Sequence, residues 1–146
     1  MYSFETSIFI DRPPQEVFDF MNNPANTPKW QGNVVSAEYT SEGPAGVGTT
    51  QRAVGQMLGR EFDVTTEITT WDPPNKITNK TLDGPVQFEA TTRYDSKGSG
   101  TQVTLNVTAE VGGFFKLAEG LVAKQAQKQF ETNYSALKLL LEAGSM

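Results

Sequence analysis

The chain has 146 residues, a formal net charge of −5, no cysteine and no histidine. That length suits one domain with a sizeable core; the composition leaves no disulfide, no thiol or His-based nucleophilic device and none of the usual Cys- or His-ligated metal sites. An acidic chain without a basic cluster is also poorly suited to nucleic acid or to an anionic lipid surface.

Residues 2–10 set Phe4, Ile8 and Ile10 against Glu5 and Ser7 and predict a first strand. Asp11-Arg12-Pro13-Pro14 stops it. Proline suits the first helical turn, and Gln15-Glu16 suit a helix N-terminus. The short helix that follows has Val17, Phe18, Phe20 and Met21 as its apolar face. Asn22-Asn23-Pro24 ends it, and Pro24 to Trp30 predicts a second short helix or turn. Val34 to Tyr39 is a second strand. The Gly-rich Gly43 to Gly48 stretch leads into a strand, so it reads as a connection and not as a phosphate cradle, which needs a helix N-terminus behind it.

Further strands are predicted over Thr49 to Leu58, Gly59 to Trp71, Lys76 to Leu82, Val86 to Tyr94 and Thr101 to Val111. Asp72-Pro73-Pro74-Asn75, Asp83-Gly84-Pro85 and Ser96 to Gly100 are the turns between the later ones. Consecutive hairpin-like connections imply an antiparallel meander. Phe114 to Glu142 then contains no proline and apolar residues at helical spacing, among them Leu117, Leu121, Val122, Ala126, Phe130, Leu137 and Leu141. One long amphipathic helix needs a sheet that curls around it to complete a core. The opening MYSFETSIFI lacks a basic segment leading into a long apolar run, and no apolar run is long enough for a membrane span. Cytoplasmic residence without stable membrane insertion is the expectation.

Several stretches carry a resemblance. Ile8 to Phe20 with Trp30 is similar to the opening of the START-related (SRPBCC) superfamily, and more narrowly of its polyketide cyclase/dehydrase and lipid-transport group. Gly46-x-Gly48-Thr49, Gly59-Arg60, Ile68-Thr69-x-Trp71-Asp72-Pro73-Pro74, Gly84-Pro85, Gly100-Thr101-x-Val103-Thr104 and Leu137-Lys138-x-x-Leu141-Glu142 continue the pattern in order. The resemblance implies an α+β helix-grip fold: residues 1–146 as one domain, with a seven-stranded curved antiparallel sheet around a long C-terminal helix and two short helices after strand 1. It also implies a cavity between sheet and helix. Members bind lipids, sterols, polyketides or plant hormones; a few catalyse aromatisation, cyclisation or dehydration, and others act as co-chaperones or quinone-binding proteins.

The alternation assigns faces. Phe62, Val64, Thr66 and Ile68 share one, as do Phe88, Ala90, Thr92 and Tyr94, and Val103, Leu105, Val107 and Ala109. Charged Glu61, Asp63, Glu67, Glu89 and Arg93 fall on the opposite side. Turned toward the helix, the apolar faces meet Leu117, Leu121 and Gln125. Close packing accounts for the aliphatic residues. Small polar groups among them are what an apolar ligand pocket with a few orienting contacts requires. The candidate ligand-binding set is Trp30, Phe62, Thr66, Phe88, Thr92, Tyr94, Leu117, Leu121 and Gln125. Trp71 is a candidate plug for one end, and the third strand leaves open whether Arg52 or Gln56 reaches the cavity.

The expected function is binding of a hydrophobic small molecule, such as a lipid, polyketide-like or aromatic compound. No cofactor or metal is expected, and the chain is expected to be a monomer or homodimer. The alternative is a cofactor-free cyclase, aromatase or dehydratase in the same cavity. It needs a proton donor and acceptor there; Tyr94 is the best donor, and no carboxylate falls on the inward faces. A co-chaperone-like role needs an exposed apolar patch on the convex face, where the residues are mostly polar.

Overall fold

Alternating sequences build a seven-stranded sheet in which every neighbouring pair of strands is antiparallel. A computed structural model describes residues 2–57, 59–111 and 119–143. The strands are β1 (Tyr2–Ile10), β2 (Val34–Tyr39), β3 (Thr50–Met57), β4 (Arg60–Asp72), β5 (Lys76–Asp83), β6 (Val86–Lys97) and β7 (Gly100–Val111). From β2 to β7 the chain meanders strand by strand across the sheet, and β1 pairs with β7 at the far edge.

The segment between β1 and β2 carries the chain from one sheet edge to the other. It contains α1 (Pro14–Met21), a 3₁₀ turn (Pro24–Asn26) and α2 (Thr27–Trp30). Pro14 stands in the first turn of α1 with Glu16 beside it, where a missing N–H and a negative charge are both tolerated. Val17, Phe18 and Met21 are buried, and α1 packs on β6 and β7 while α2 packs on β2 and on α3 (Glu119–Glu142). Helix α3 lies along β1. This is the helix-grip arrangement. The part of the expected helix before Glu119, with the Gly112-Gly113 entry, lies outside the described residues. Among the described residues no helix is long and apolar enough to cross a membrane.

The strand phase follows the charge pattern. Thr66, Ile68, Thr92, Tyr94, Val103 and Leu105 are buried, and Glu61, Asp63, Glu89 and Arg93 are exposed. β3 takes the same logic: Arg52 points outward, its Nε donating to Asp63 Oδ1 at 2.9 Å, which leaves Gln51 and Ala53 on the inner face. A register shift between Ile68 and Thr70 re-phases the end of β4. The extra residue lets both Ile68 and Trp71 face the core; Trp71 meets the Phe18 ring edge-on at 5.2 Å between centroids.

The core is densest at the α1 end, where Ile10, Val17, Phe18, Val103, Leu137 and Leu141 are almost wholly buried. Polar contacts clamp the C-terminal end of α3 there. Lys138 Nζ donates to the Phe9 carbonyl at 2.7 Å, the Glu142 carboxylate accepts from the Asp11 N–H at 2.9 Å, and Arg12 donates to the Glu142 carbonyl at 3.1 Å. With one end of the helix fixed, its other half stands over the concave face of the sheet.

Candidate functional site

Between that half of α3 and the sheet lies a cavity of about 400 Å³, within the size range of small-molecule pockets. β4 contributes Phe62, Val64 and Thr66, and β6 contributes Phe88, Ala90, Thr92 and Tyr94. Gln125, Ala126, Gln129, Phe130 and Tyr134 form the helical wall, and Trp30, Gln31 and Asn33 close the side next to α2. Tyr2, Phe4 and Phe130 form an aromatic run along one wall; the Tyr2 and Phe4 rings stack at 6.4 Å and Phe4 meets Phe130 at 6.0 Å.

A hydrogen-bonded cluster sits at the deep end. The Asn22 side-chain amide donates to the Tyr94 hydroxyl at 3.0 Å and to the Phe18 carbonyl at 2.9 Å. The Tyr134 hydroxyl lies beside Thr92. Tyr94 and Tyr134 are 3% and 2% exposed. Burial pushes both hydroxyls above the ordinary tyrosine range; the Asn22 bond partly offsets this for Tyr94. For Tyr134 the neighbouring Tyr94 adds to the rise, while the Thr92 side chain opposes it. Both are therefore neutral hydroxyls near neutral pH, able to donate to a ligand oxygen. Among the described residues that line the cavity there is no Asp, Glu, Lys or Arg.

A second network fixes the α2 side. Buried Asn133 on α3 accepts from the Gly32 N–H at 3.2 Å and from Gln129 Nε2 at 2.9 Å, and its own amide donates to Asn33 Oδ1 at 3.4 Å. The Asn33 carbonyl in turn accepts from the Gln56 N–H at 2.9 Å. The helix, the α2–β2 loop and β3 are thus held in one position around the opening.

The structure brings Trp30, Phe62, Thr66, Phe88, Thr92, Tyr94 and Gln125 together on the cavity wall, Gln125 at the exposed rim. Leu121 departs from the expected position: it is 54% exposed and stands away from the wall. One residue turns a helix by about 100°, and it is Val122 that is fully buried, while Ala126, Phe130 and Tyr134 line the cavity. Leu117 lies outside the described residues. Of the two β3 candidates, Arg52 is on the outer face and Gln56 lines the cavity. Trp71 is not part of the wall.

Residues that the sequence pattern did not single out are Asn22, Asn79 and Tyr134. Tyr134 does carry a signal: it follows Phe130 by four residues and precedes Leu137 by three, on the same helix face. Asn22 occupies the helix-ending Asn-Asn-Pro and carries no periodic signal. Asn79 shares the inward face of β5 with Ile77, but a short strand with one apolar residue at that spacing gives no phase.

No curated protein matches the sequence. Among solved structures, TTHA0849 from Thermus thermophilus superposes with a TM-score of 0.86 at 24% identity, over 99% of this chain and 100% of that one. A START superfamily protein from Mycobacterium smegmatis superposes with a TM-score of 0.82 at 13% identity, over 99% and 100%. Zhui aromatase/cyclase from Streptomyces sp. R1128 does so with a TM-score of 0.79 at 15% identity, over 94% and 91%. At these identities the likeness is one of fold. The sequence itself matches the family described as polyketide cyclase / dehydrase and lipid transport over residues 1–142, and the chain belongs to that family.

Proposed function

We propose that this protein binds a hydrophobic small molecule between the sheet and α3, with Tyr94, Thr92 and Thr66 orienting it. The observation that carries this is the cavity of about 400 Å³ whose aromatic and aliphatic walls meet a compact hydroxyl cluster at one end. Apolar walls supply the affinity and a few convergent polar groups supply the orientation. The test is titration with the neutral fluorophore N-phenyl-1-naphthylamine. Saturable binding is expected, and it should be lost in Ala90→Trp, which fills the cavity from the middle of β6. Non-saturable uptake, or a folded Ala90→Trp protein that binds as well as the parent, would overturn the proposal.

Cyclase or dehydratase chemistry in the same cavity is the second reading, supported by the buried Tyr94 and Tyr134 hydroxyls as proton donors to a substrate carbonyl. Its difficulty is the acceptor: Tyr94 is partnered by an amide, Asn22, and not by a carboxylate. Turnover abolished by Tyr94→Phe with dye affinity retained would favour this reading over simple binding.

A further inference from the structure

The concave face of the sheet carries a polar diagonal inside its apolar lining. Ile68 pairs with Asn79 across β4–β5, and Asn79 pairs with Ala90 across β5–β6. Thr66 and Thr92 are therefore the diagonal neighbours of Asn79 on its two sides, about 7–8 Å away in such a register. All three line the cavity, and Gln51, directly opposite Thr66, extends the row to β3. Thr92 has the Tyr134 hydroxyl beside it, whereas Asn79 Oδ1 is buried and has no hydrogen-bond partner. An amide left unpaired at the centre of an apolar wall destabilises the free protein unless something else answers it.

We propose that the cavity selects uncharged, hydroxyl-bearing lipophilic molecules and that Asn79 is the residue that reads the hydroxyl. The inference rests on the binding reading above and specifies its ligand class. The unpaired group is the amide oxygen, an acceptor, so it suits a hydroxyl that can donate to it. A carboxylate or an ammonium would enter a wall where, among the described residues, no opposite charge awaits it, and burying an ion without a partner is costly. The net charge of −5 further disfavours anions. Free fatty acids are thereby poor ligands, and neutral alcohols and phenols good ones.

The test is displacement of N-phenyl-1-naphthylamine by three naphthalenes of similar shape at neutral pH. 2-Naphthalenemethanol is expected to compete at least about tenfold better than 2-naphthoate, and better than 2-ethylnaphthalene. In Asn79→Leu the preference for the alcohol over the hydrocarbon should fall by about tenfold, while the thermal midpoint of the free protein holds or rises. Asn79→Ala gives the same comparison if the leucine variant does not fold. Equal competition by alcohol and naphthoate, or an unchanged alcohol preference in a folded variant, overturns this inference and leaves the binding reading intact. Absence of saturable probe binding in the parent protein overturns both.

Discussion

Asn22 donates from its side chain to the Tyr94 hydroxyl at 3.0 Å, across 72 positions of sequence. The same amide donates to the Phe18 carbonyl, and the Asn22 carbonyl accepts from the Tyr39 hydroxyl at 2.8 Å. The end of α1 is thereby tied both to β6 and to the edge strand β2. Removing the tyrosine hydroxyl leaves the Asn22 amide one remaining partner, so Tyr94→Phe should cost about 1 kcal/mol. Asn22→Ala removes the partner of a buried hydroxyl together with the side-chain bond to the Phe18 carbonyl, which keeps the backbone N–H of residue 22, and should cost about 2 kcal/mol. Urea unfolding of the two variants checks the order; a Tyr94→Phe protein less stable than Asn22→Ala would contradict it.

Burial also fixes an alkaline limit. Tyr94 and Tyr134 hold their protons in the folded state well above their ordinary value of 10.0. Above that pH the unfolded chain loses two protons that the folded chain keeps, so stability is fully present below it and falls as pH rises. Two such groups give a slope of about 2.7 kcal/mol per pH unit. Tyr94→Phe and Tyr134→Phe should each halve that contribution. Denaturant midpoints across the alkaline range, followed by tyrosinate absorbance, measure it; a stability flat well past pH 10.0 would be incompatible with both hydroxyls being buried.

Much of the wall was legible in the sequence because alternation of charge with apolar residues fixes a strand's phase. Glu61 and Asp63 against Phe62 and Val64 left β4 one orientation, and Glu89 and Arg93 against Phe88 and Ala90 did the same for β6. β3 offered no such contrast, and the side of Arg52 is decided by Asp63 on the neighbouring strand. The inward turn of Trp71 depends on a bulge, which alternation does not encode. Leu121 and Val122 are both apolar, and only the helix's rotation against the sheet chooses between them. Asn22 and Asn79 act through partners and neighbours far away in sequence, which no local pattern reports.

Gly55 is required by a close approach. A Cβ there would meet the Asn33 carbonyl at 2.1 Å and the Phe62 ring at 2.7 Å. The Asn33 carbonyl is the acceptor of the Gln56 N–H, so it is held in place, and Phe62 is part of the cavity wall. Gly55→Ala should destabilise the protein by about 1–3 kcal/mol and weaken N-phenyl-1-naphthylamine binding through displacement of Phe62. Calorimetry and dye titration of the same sample test the two effects; a variant with unchanged melting and unchanged affinity would mean that this approach is easily relaxed.

The C-terminal clamp of α3 sets the acid limit. The Glu142 carboxylate lies below its ordinary value of 4.5, first through its hydrogen bond from Lys138 and next through the Asp11 N–H. A depressed folded-state value means that the stabilisation is present above pH 4.5 and is lost as pH falls through the folded value. Glu142→Gln keeps the shape and removes the charge, so it should melt earlier than the parent at neutral pH. The gap should close as the solution is acidified below 4.5. It should also narrow with added salt, because the Lys138–Glu142 pair is partly solvated. Melting of both proteins over a pH series is the measurement, and a gap that stays constant into acid would show that the carboxylate's charge contributes nothing to holding α3 against β1.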